Sequence, residues 1–308
     1  MANGKRIVIG TRGSLLARWQ ANHIATLLRA AHPGLVVDEK IIVTEGDRLS
    51  VGPLWNAGGK GVWVKEIEAA LAAGEIDLAV HSMKDVPAVL LDGLAIAAIP
   101  PRADVRDAVV SQKGVNLMDL PGGSRVGTTS LRRQSQVLAV RKDLSVEILR
   151  GNLDTRLRKV AEGVVDAAIL ACAGMDRLGF ADRIVERLSV DRMLPAVGQG
   201  ALAIETRAGD GRTRTLCAVL NDPDTETAMA AERAFLAALG ASCRTPVAGY
   251  AVIDGPEVVL RGLVGMPDGS ATLRDEARGS RLNAASVGDS LGQRFLARGA
   301  GSYLASAI

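Results

Sequence analysis

Aromatic residues make up only 3% of this 308-residue chain. That is too few for the stacking platforms on which single-strand nucleic-acid binders depend. Three cysteines, Cys172, Cys217 and Cys243, cannot all pair, and none lies in a CxxC. A disulfide framework and a zinc site are therefore not expected. Three histidines give no basis for a His-rich metal centre, so no metal is expected. No apolar run approaches the ~20 residues of a membrane span. The start, Met1 to Arg6, leads into only three apolar residues, Ile7 to Ile9, far short of a signal-peptide core. These absences predict a cytoplasmic protein with neither membrane nor nucleic acid as partner.

What is present is a globular balance, 48% hydrophobic and 23% charged, in a chain long enough for two or three domains. Net charge is +3. The positive charge is clustered: between Arg125 and Arg192 stand Arg132, Arg133, Arg141, Arg150, Arg156, Arg158, Arg177, Arg183 and Arg187. Arginine recognises carboxylate and phosphate in a planar, bidentate way, so an anionic ligand is implied. With so few aromatics, a small polyanion is favoured over nucleic acid.

The stretch Ile76 to Pro87 organises the rest. Its apolar half predicts a buried strand over 76–80, after the Gly74-Glu75 break. His81, Ser82, Lys84 and Asp85 then follow at the strand's C-terminal end, where ligands of open α/β sheets bind. A carboxylate beside an ammonium can hold one proton and one charge near a reacting atom. Equally, the pair fits a solvated loop.

Taken in order, Arg6 to Gly10 predicts a first strand, and Ser14 caps a helix running to about Ala31. Leu15, Leu16, Trp19, His23 and Leu27 form its expected buried face, with His23 structural. That helix N-terminus plus Arg12 makes an expected anion site. A strand over 35–43 precedes a long loop, 44–61, ending in Gly58-Gly59-Lys60-Gly61, whose glycines and lysine suit a mobile lid, while composition alone favours a plain flexible loop. A helix over 64–73 follows, then the central stretch and a strand over 94–99. Pro100-Pro101 is a hinge, after which the pattern restarts. Strands are expected over 108–110, 125–127, 146–149 and 166–170. The hydroxyl-rich turn Thr128-Thr129-Ser130 precedes a helix over 131–140 with Arg132 and Arg133 in its first turn. Cations there oppose the helix dipole, so anion binding or surface salt bridging accounts for them better than helix stability. Arg150-Gly151-Asn152, a helix over 154–161 containing Arg156, and Ala171 to Gly174 with Arg177 beyond repeat the placement of arginine after a strand.

Leu194 to Ala201 has a GxGxxA spacing, but Pro195 and the strand-like run after it argue against a dinucleotide site. This segment predicts a return crossing into the first domain. A helix over 223–239, a loop holding Cys243 and Arg244, strands over 247–253, 257–264 and 271–278, and a helix over 284–298 complete an α+β unit. Beside Arg244, the Cys243 thiol is the candidate reactive cysteine, although a semi-buried inert thiol fits an isolated cysteine as well.

Six segments resemble the porphobilinogen deaminase family. They are Thr11 to Ser14, Gly58 to Gly61, His81 to Pro87, Gly127 to Gln134, Arg150 to Asn152 and Leu194 to Gly200. Two departures are Gly240-Ala241-Ser242 before the loop cysteine and Trp63 in place of a usual Phe. The resemblance implies two periplasmic-binding-protein-like α/β domains plus a small C-terminal α+β domain with a three-stranded antiparallel sheet. Residues 1–100 with 200–220 would form the first, 101–199 the second and 221–308 the third. It implies a monomeric transferase of porphyrin and haem biosynthesis. Such an enzyme deaminates porphobilinogen, adds four pyrroles head to tail and releases hydroxymethylbilane. It further implies a dipyrromethane cofactor joined to Cys243 by a thioether. Asp85 would be catalytic. Lys84, Thr128, Thr129, Ser130, Arg132, Arg133, Arg150 and Gly151 would hold the cofactor. Arg12, Ser14, Lys60, Arg150, Arg156, Ala171, Gly174, Arg177 and Gln199 would hold substrate. A non-catalytic binder of an anionic metabolite and an Arg-rich nucleic-acid binder are the alternatives, and neither predicts a covalent chromophore.

Overall fold

The computed structural model describes residues 6–48, 63–242 and 245–306. These divide into two compact units: 6–48, 63–102 and 201–226 in the first, and 103–200, 227–242 and 245–306 in the second. In chain order, the first unit takes β1 (Arg6–Thr11), α1 (Leu15–Ala31), β2 (Val36–Ile41), α2 (Glu45–Arg48), α3 (Lys65–Ala72), β3 (Leu78–Ser82) and β4 (Leu94–Ala98). The second takes β5 (Asp107–Ser111), β6 (Arg125–Gly127), α4 (Leu131–Val140), β7 (Ser145–Glu147), α5 (Leu153–Ala161), β8 (Ala167–Ala171), α6 (Cys172–Arg177) and β9 (Glu186–Leu188). The chain returns to the first unit for β10 (Leu202–Arg207) and α7 (Gly211–Ala218). Then α8 (Pro223–Ala238) leads to β11 (Val247–Asp254), β12 (Glu257–Gly265), β13 (Thr272–Ser280), α9 (Ala284–Ala297) and α10 (Ala300–Ala305).

The two α/β sheets share one plan. The first runs β2-β1-β3-β10-β4 and the second β7-β6-β8-β5-β9. In each, the first three strands are parallel. The fourth is antiparallel to both its neighbours. That fourth strand is the one on which the chain has just crossed from the other unit. The expected return crossing after Gly200 is thus β10. A separate antiparallel sheet, β11-β12-β13, forms the C-terminal part. Phe235 of α8 and Phe295 of α9 meet edge to face at 5.3 Å.

Both faces of the first sheet are covered, which is why Ile7 to Ile9, Leu78 to Val80 and Leu202 to Ile204 are unbroken apolar runs. Ile24 and Leu28 of α1 pack on Ile7, Ile9, Leu78, Val80 and Ile204. Ile67 and Leu71 of α3 pack with Ile76 and Ala79 on the other side. Fully burying each such side chain contributes about 1.5–3 kcal/mol.

The structure corrects the expected face of α1. Its buried residues are Ala17, Gln20, Ala21, Ile24, Ala25 and Leu28, whereas Leu15 is 58% exposed. His23 is exposed and stacks on Trp19 with ring centroids 4.9 Å apart. Three alanines and Gln20 share the buried face with Ile24 and Leu28, while Leu15 lies off it. The central strand begins two residues later than expected and ends at Ser82. α6 begins immediately after β8, so Cys172 to Gly174 are helical and Arg177 closes that helix.

Candidate active site

In the first unit β3 ends in a single 3-10 turn, Met83–Asp85. Met83 is 2% exposed and anchors the turn, and its N–H donates to the Ala201 carbonyl at 3.0 Å. That pairing leaves Lys84 and Asp85 half-buried at the strand's C-terminal end. A small cavity of about 70 Å³ is lined by Arg12, Ser14, Gln20, His81, Ser82 and Asp85, among others. Gln20 donates to the Ser82 hydroxyl at 2.9 Å. Ser14 caps α1, its hydroxyl accepting from Ala17 N at 3.3 Å.

Two expectations for this wall change. Arg12 already has a carboxylate: it donates to Asp47 Oδ1 from Nε at 3.1 Å and from Nη2 at 2.5 Å, and its guanidinium lies 4.1 Å over the Trp63 ring. Burial opposes ionisation of Asp47, but hydrogen bonds from Arg12 and Thr44 outweigh it and hold the acid below the usual carboxylate range. Arg12 therefore brings its own counter-ion to the cavity. His81, expected at the open strand end, lies inside β3 and is 6% exposed, its Nε2 3.0 Å from Glu205 of β10. Lys60 and most of the expected lid lie outside the described residues, as does Cys243.

The second unit places arginines after three neighbouring parallel strands. Arg132 and Arg133 follow β6, Arg150 follows β7 and Arg177 closes the helix after β8. The carboxyl ends of these strands share one sheet edge, so the arginines do as well. Ser130 caps α4 and its own N–H donates to Thr128 Oγ1 at 3.1 Å, while Thr129 is half-buried between them. Arg156 Nε donates to the Gly151 carbonyl at 2.8 Å. Gly151 has φ +113°, and a Cβ there would stand 2.7 Å from Thr155. Ala171 ends β8, Gly174 is buried in α6, and Arg177 donates to the Gly200 carbonyl at 2.8 Å. Burial brings the Arg177 guanidinium down to about 10.

Arg132 and Arg133 are not explained by an external anion alone. Both are buried against Asp107, which is 0% exposed at the start of β5. Arg132 donates to Asp107 Oδ2 from Nη1 at 2.7 Å, and Arg133 to Oδ1 from Nη2 at 2.8 Å. Gln199 adds a third donor at 3.0 Å. Burial disfavours ionisation of Asp107, yet the two guanidiniums and the Arg132 and Gln199 hydrogen bonds hold it well below the usual carboxylate range. One internal carboxylate against two arginines leaves an excess positive charge. Arg132 Nε and Arg150 Nε and Nη2 are buried and have no hydrogen-bond partner among the described residues. A buried donor without an acceptor costs about 1–3 kcal/mol or more when charged. These groups therefore fit a ligand that brings carboxylates.

Sequence reasoning passed over Asp107, Gln136 and Glu232. Gln136 accepts from Leu194 N at 2.8 Å and donates to the Leu194 carbonyl at 3.0 Å. Glu232, wholly buried on α8, accepts from Gly198 N at 2.7 Å and from Ala251 N at 2.8 Å. Together they fix the Leu194–Gly200 segment that carries Gln199. The only sequence signal was polar residues within apolar patterns, which does not name a partner.

Comparison with known proteins agrees with these features. Residues 7–215 match the porphobilinogen deaminase dipyromethane cofactor binding domain, and residues 226–297 match the porphobilinogen deaminase C-terminal domain. The chain is 50% identical over 298 residues to the porphobilinogen deaminase of Syntrophotalea carbinolica, covering 97% of this chain and 95% of that one. It is 51% identical over 296 residues to that of Acidithiobacillus ferrooxidans, covering 96% of each. Among solved structures it is similar to the Bordetella pertussis BvgS periplasmic VFT2 domain, with TM-score 0.45, 18% identity, and 71% of this chain and 87% of that one covered. Half of the residues are shared with named relatives over nearly the whole length, and both parts of the chain match the family's own domains, so this chain belongs to the porphobilinogen deaminase family.

Proposed function

We propose that this chain is a hydroxymethylbilane synthase in which Asp85 is the acid–base group and the second unit's arginines hold carboxylates. The enzyme deaminates porphobilinogen, links four molecules head to tail and hydrolyses the product to hydroxymethylbilane. When bound through a thioether to Cys243, the dipyrromethane supplies a nucleophilic pyrrole carbon and the anchor on which the chain grows.

The observation that carries the assignment is the position of Asp85. It is the one carboxylate among the described residues lining the cavity at the end of β3. Arg12 beside it is neutralised by Asp47, so it does not hold Asp85 as a fixed ion pair. This setting supports Asp85 as the group that gives a proton to the leaving amine and whose carboxylate then stabilises positive charge on the pyrrole. Lys84 binds a carboxylate rather than acting as a Schiff-base nucleophile, because its chain neighbour Asp85 is an acid that keeps an ammonium charged. Arg132, Arg133 and Arg150, with Lys84, Ser130, Thr128, Thr129 and Gly151, hold the cofactor's acetate and propionate groups. Arg12, Ser14, Lys60, Arg156, Arg177, Ala171, Gly174 and Gln199 receive substrate. The chain acts as a cytoplasmic monomer, and the free thiols of Cys172 and Cys217 accord with a reducing compartment.

Asp85→Asn tests the reading. The variant should keep the two-pyrrole adduct by intact mass and lose about 10²–10⁴ in turnover. Near-normal product formation by the folded, adduct-bearing variant removes Asp85 from its role.

A further inference from the structure

Arg12 and Trp63 both line the cavity that holds Asp85. A long guanidinium side chain at a cavity wall ordinarily samples many rotamers. Here its neighbours restrain it. Asp47 accepts from Arg12 Nε at 3.1 Å and from Nη2, so one edge of the guanidinium is taken. The Trp63 ring covers one face, with its centroid 4.1 Å from the guanidinium carbon. Asp47 is itself tied down: its Oδ2 accepts from Thr44 N at 3.2 Å and from Thr44 Oγ1 at 2.8 Å, and Thr44 is buried. Gly46 makes room for the indole, since a Cβ there would stand 2.2 Å from Trp63 Cε3. The side chains of Arg12 and Asp47 are 19% and 23% exposed, so solvent reaches part of this group.

A counter-ion alone does not call for this arrangement. Neutralising a partly exposed arginine needs one carboxylate. It needs neither a ring on the guanidinium face nor a glycine that admits the ring. What the set achieves is direction. The side-chain hydrogen bonds of Arg12 among the described residues all run from Nε and Nη2. A guanidinium has five N–H donors, so the Nη1–Nη2 edge still carries a parallel pair for a second carboxylate. We infer that Asp47 and Trp63 are positioning residues that hold Arg12 in the orientation in which this second edge receives a carboxylate of the pyrrole substrate. The inference rests on the proposed role of Arg12 as a substrate-binding group. Trp63 stands where the family usually has Phe, and indole is the best of the aromatic faces for a cation. The opposite role for Asp47, a competitor that occupies Arg12 until substrate displaces it, predicts tighter substrate binding when its charge is removed. The second edge argues against competition, because another carboxylate need not displace the first.

The test measures kcat and KM for porphobilinogen on cofactor-loaded Asp47→Asn, Trp63→Leu and Trp63→Phe, each alone and combined with Arg12→Leu. Asp47→Asn should raise KM about tenfold with kcat within about twofold of wild type, as expected for loss of a charge-assisted hydrogen-bonded pair. Trp63→Leu should raise KM about two- to fivefold, and Trp63→Phe, which keeps a ring, by less. In the Arg12→Leu background each should change KM by less than about 1.5-fold, because the two residues act through Arg12. A second readout is independent of turnover: the Nε–H proton resonance of Arg12, identified by its loss in Arg12→Leu, should move upfield in Asp47→Asn. An unchanged or lowered KM in folded Asp47→Asn overturns the inference, as does an effect that persists at full size without Arg12. A raised KM in Arg12→Leu with none in Asp47→Asn overturns the positioning alone. A wild-type KM in Arg12→Leu refutes Arg12 as a substrate group, and the inference falls with it.

Discussion

Asp107→Asn is the sharpest perturbation of the second unit. The substitution keeps the shape and one carbonyl oxygen but removes the only charge that Arg132 and Arg133 are shown to share. It also turns an amide NH₂ toward a guanidinium, a contact of two donors. Removing one member of a buried ionic group costs about 3–5 kcal/mol, because the remaining charges stay buried without compensation. For a unit of this size, a loss of about 3–5 kcal/mol lowers Tm by roughly 6–20 °C. The pH dependence follows from the depressed folded-state pKa of Asp107. Its contribution is fully present above the unfolded-state value near about 4 and is lost only as pH falls through the folded-state value. Wild type and variant should therefore differ equally at pH 7 and pH 5, and converge only in strong acid. Calorimetry of the cofactor-loaded proteins, with urea unfolding at both pH values, measures this. A Tm drop of under about 2 °C at pH 7 would refute the claim that Asp107 is the counter-ion of both arginines. A triple change, Asp107→Leu with Arg132→Met and Arg133→Met, should be less destabilised than Asp107→Asn, since no charge is then left buried.

Three further outcomes are expected. Cys243→Ser should fold without the adduct and be inactive, while Cys172→Ser and Cys217→Ser should keep it. Burial pushes both of those thiols up to about 12, away from the reactive thiolate, and peptide mapping under reducing conditions reads the adduct's position. Gly151→Ala should cost about 1–3 kcal/mol in thermal unfolding and weaken adduct retention, because its φ of +113° and the contact with Thr155 force a shift next to Arg150. Arg132→Leu or Arg133→Leu should block cofactor assembly, whereas Arg156→Leu or Arg177→Leu should stall elongation; one common set of species in all four mass spectra would contradict this division.

Periodicity and punctuation made most of the architecture legible. β6 and α4 have the predicted bounds, and the antiparallel strands of the C-terminal sheet were read to within a residue or two. The buried face of α1 was misread because Ala17, Ala21, Ala25 and Gln20 share it with Ile24 and Leu28, and hydropathy ranks those four below Leu15, Trp19 and Leu27. Arginines at strand ends were visible, but their internal partner was not. Asp107 lies 25 residues before Arg132 and 92 before Gln199 in the chain, and no local pattern announces such a contact. His81 lines the cavity with Asp85 as its position suggested, but its contact with Glu205 depends on a strand that arrives more than a hundred residues later.

That late arrival bears on how the chain is made. β10 lies between β3 and β4 and bonds to both. While the ribosome has not yet passed Arg207, the first sheet is split, and β3 and β4 each keep an unpaired edge. The second α/β sheet, by contrast, is drawn from one continuous stretch, Asp107 to Leu188. The part translated later can therefore close first, and the part translated earlier must wait. At about 5–20 residues per second the wait is on the order of 5–20 s. Throughout that time two open strand edges are available to other chains. Translation pauses placed far enough after residue 207 for β10 to have left the ribosome should leave a protease-resistant first sheet, and pauses placed before residue 202 should leave it susceptible.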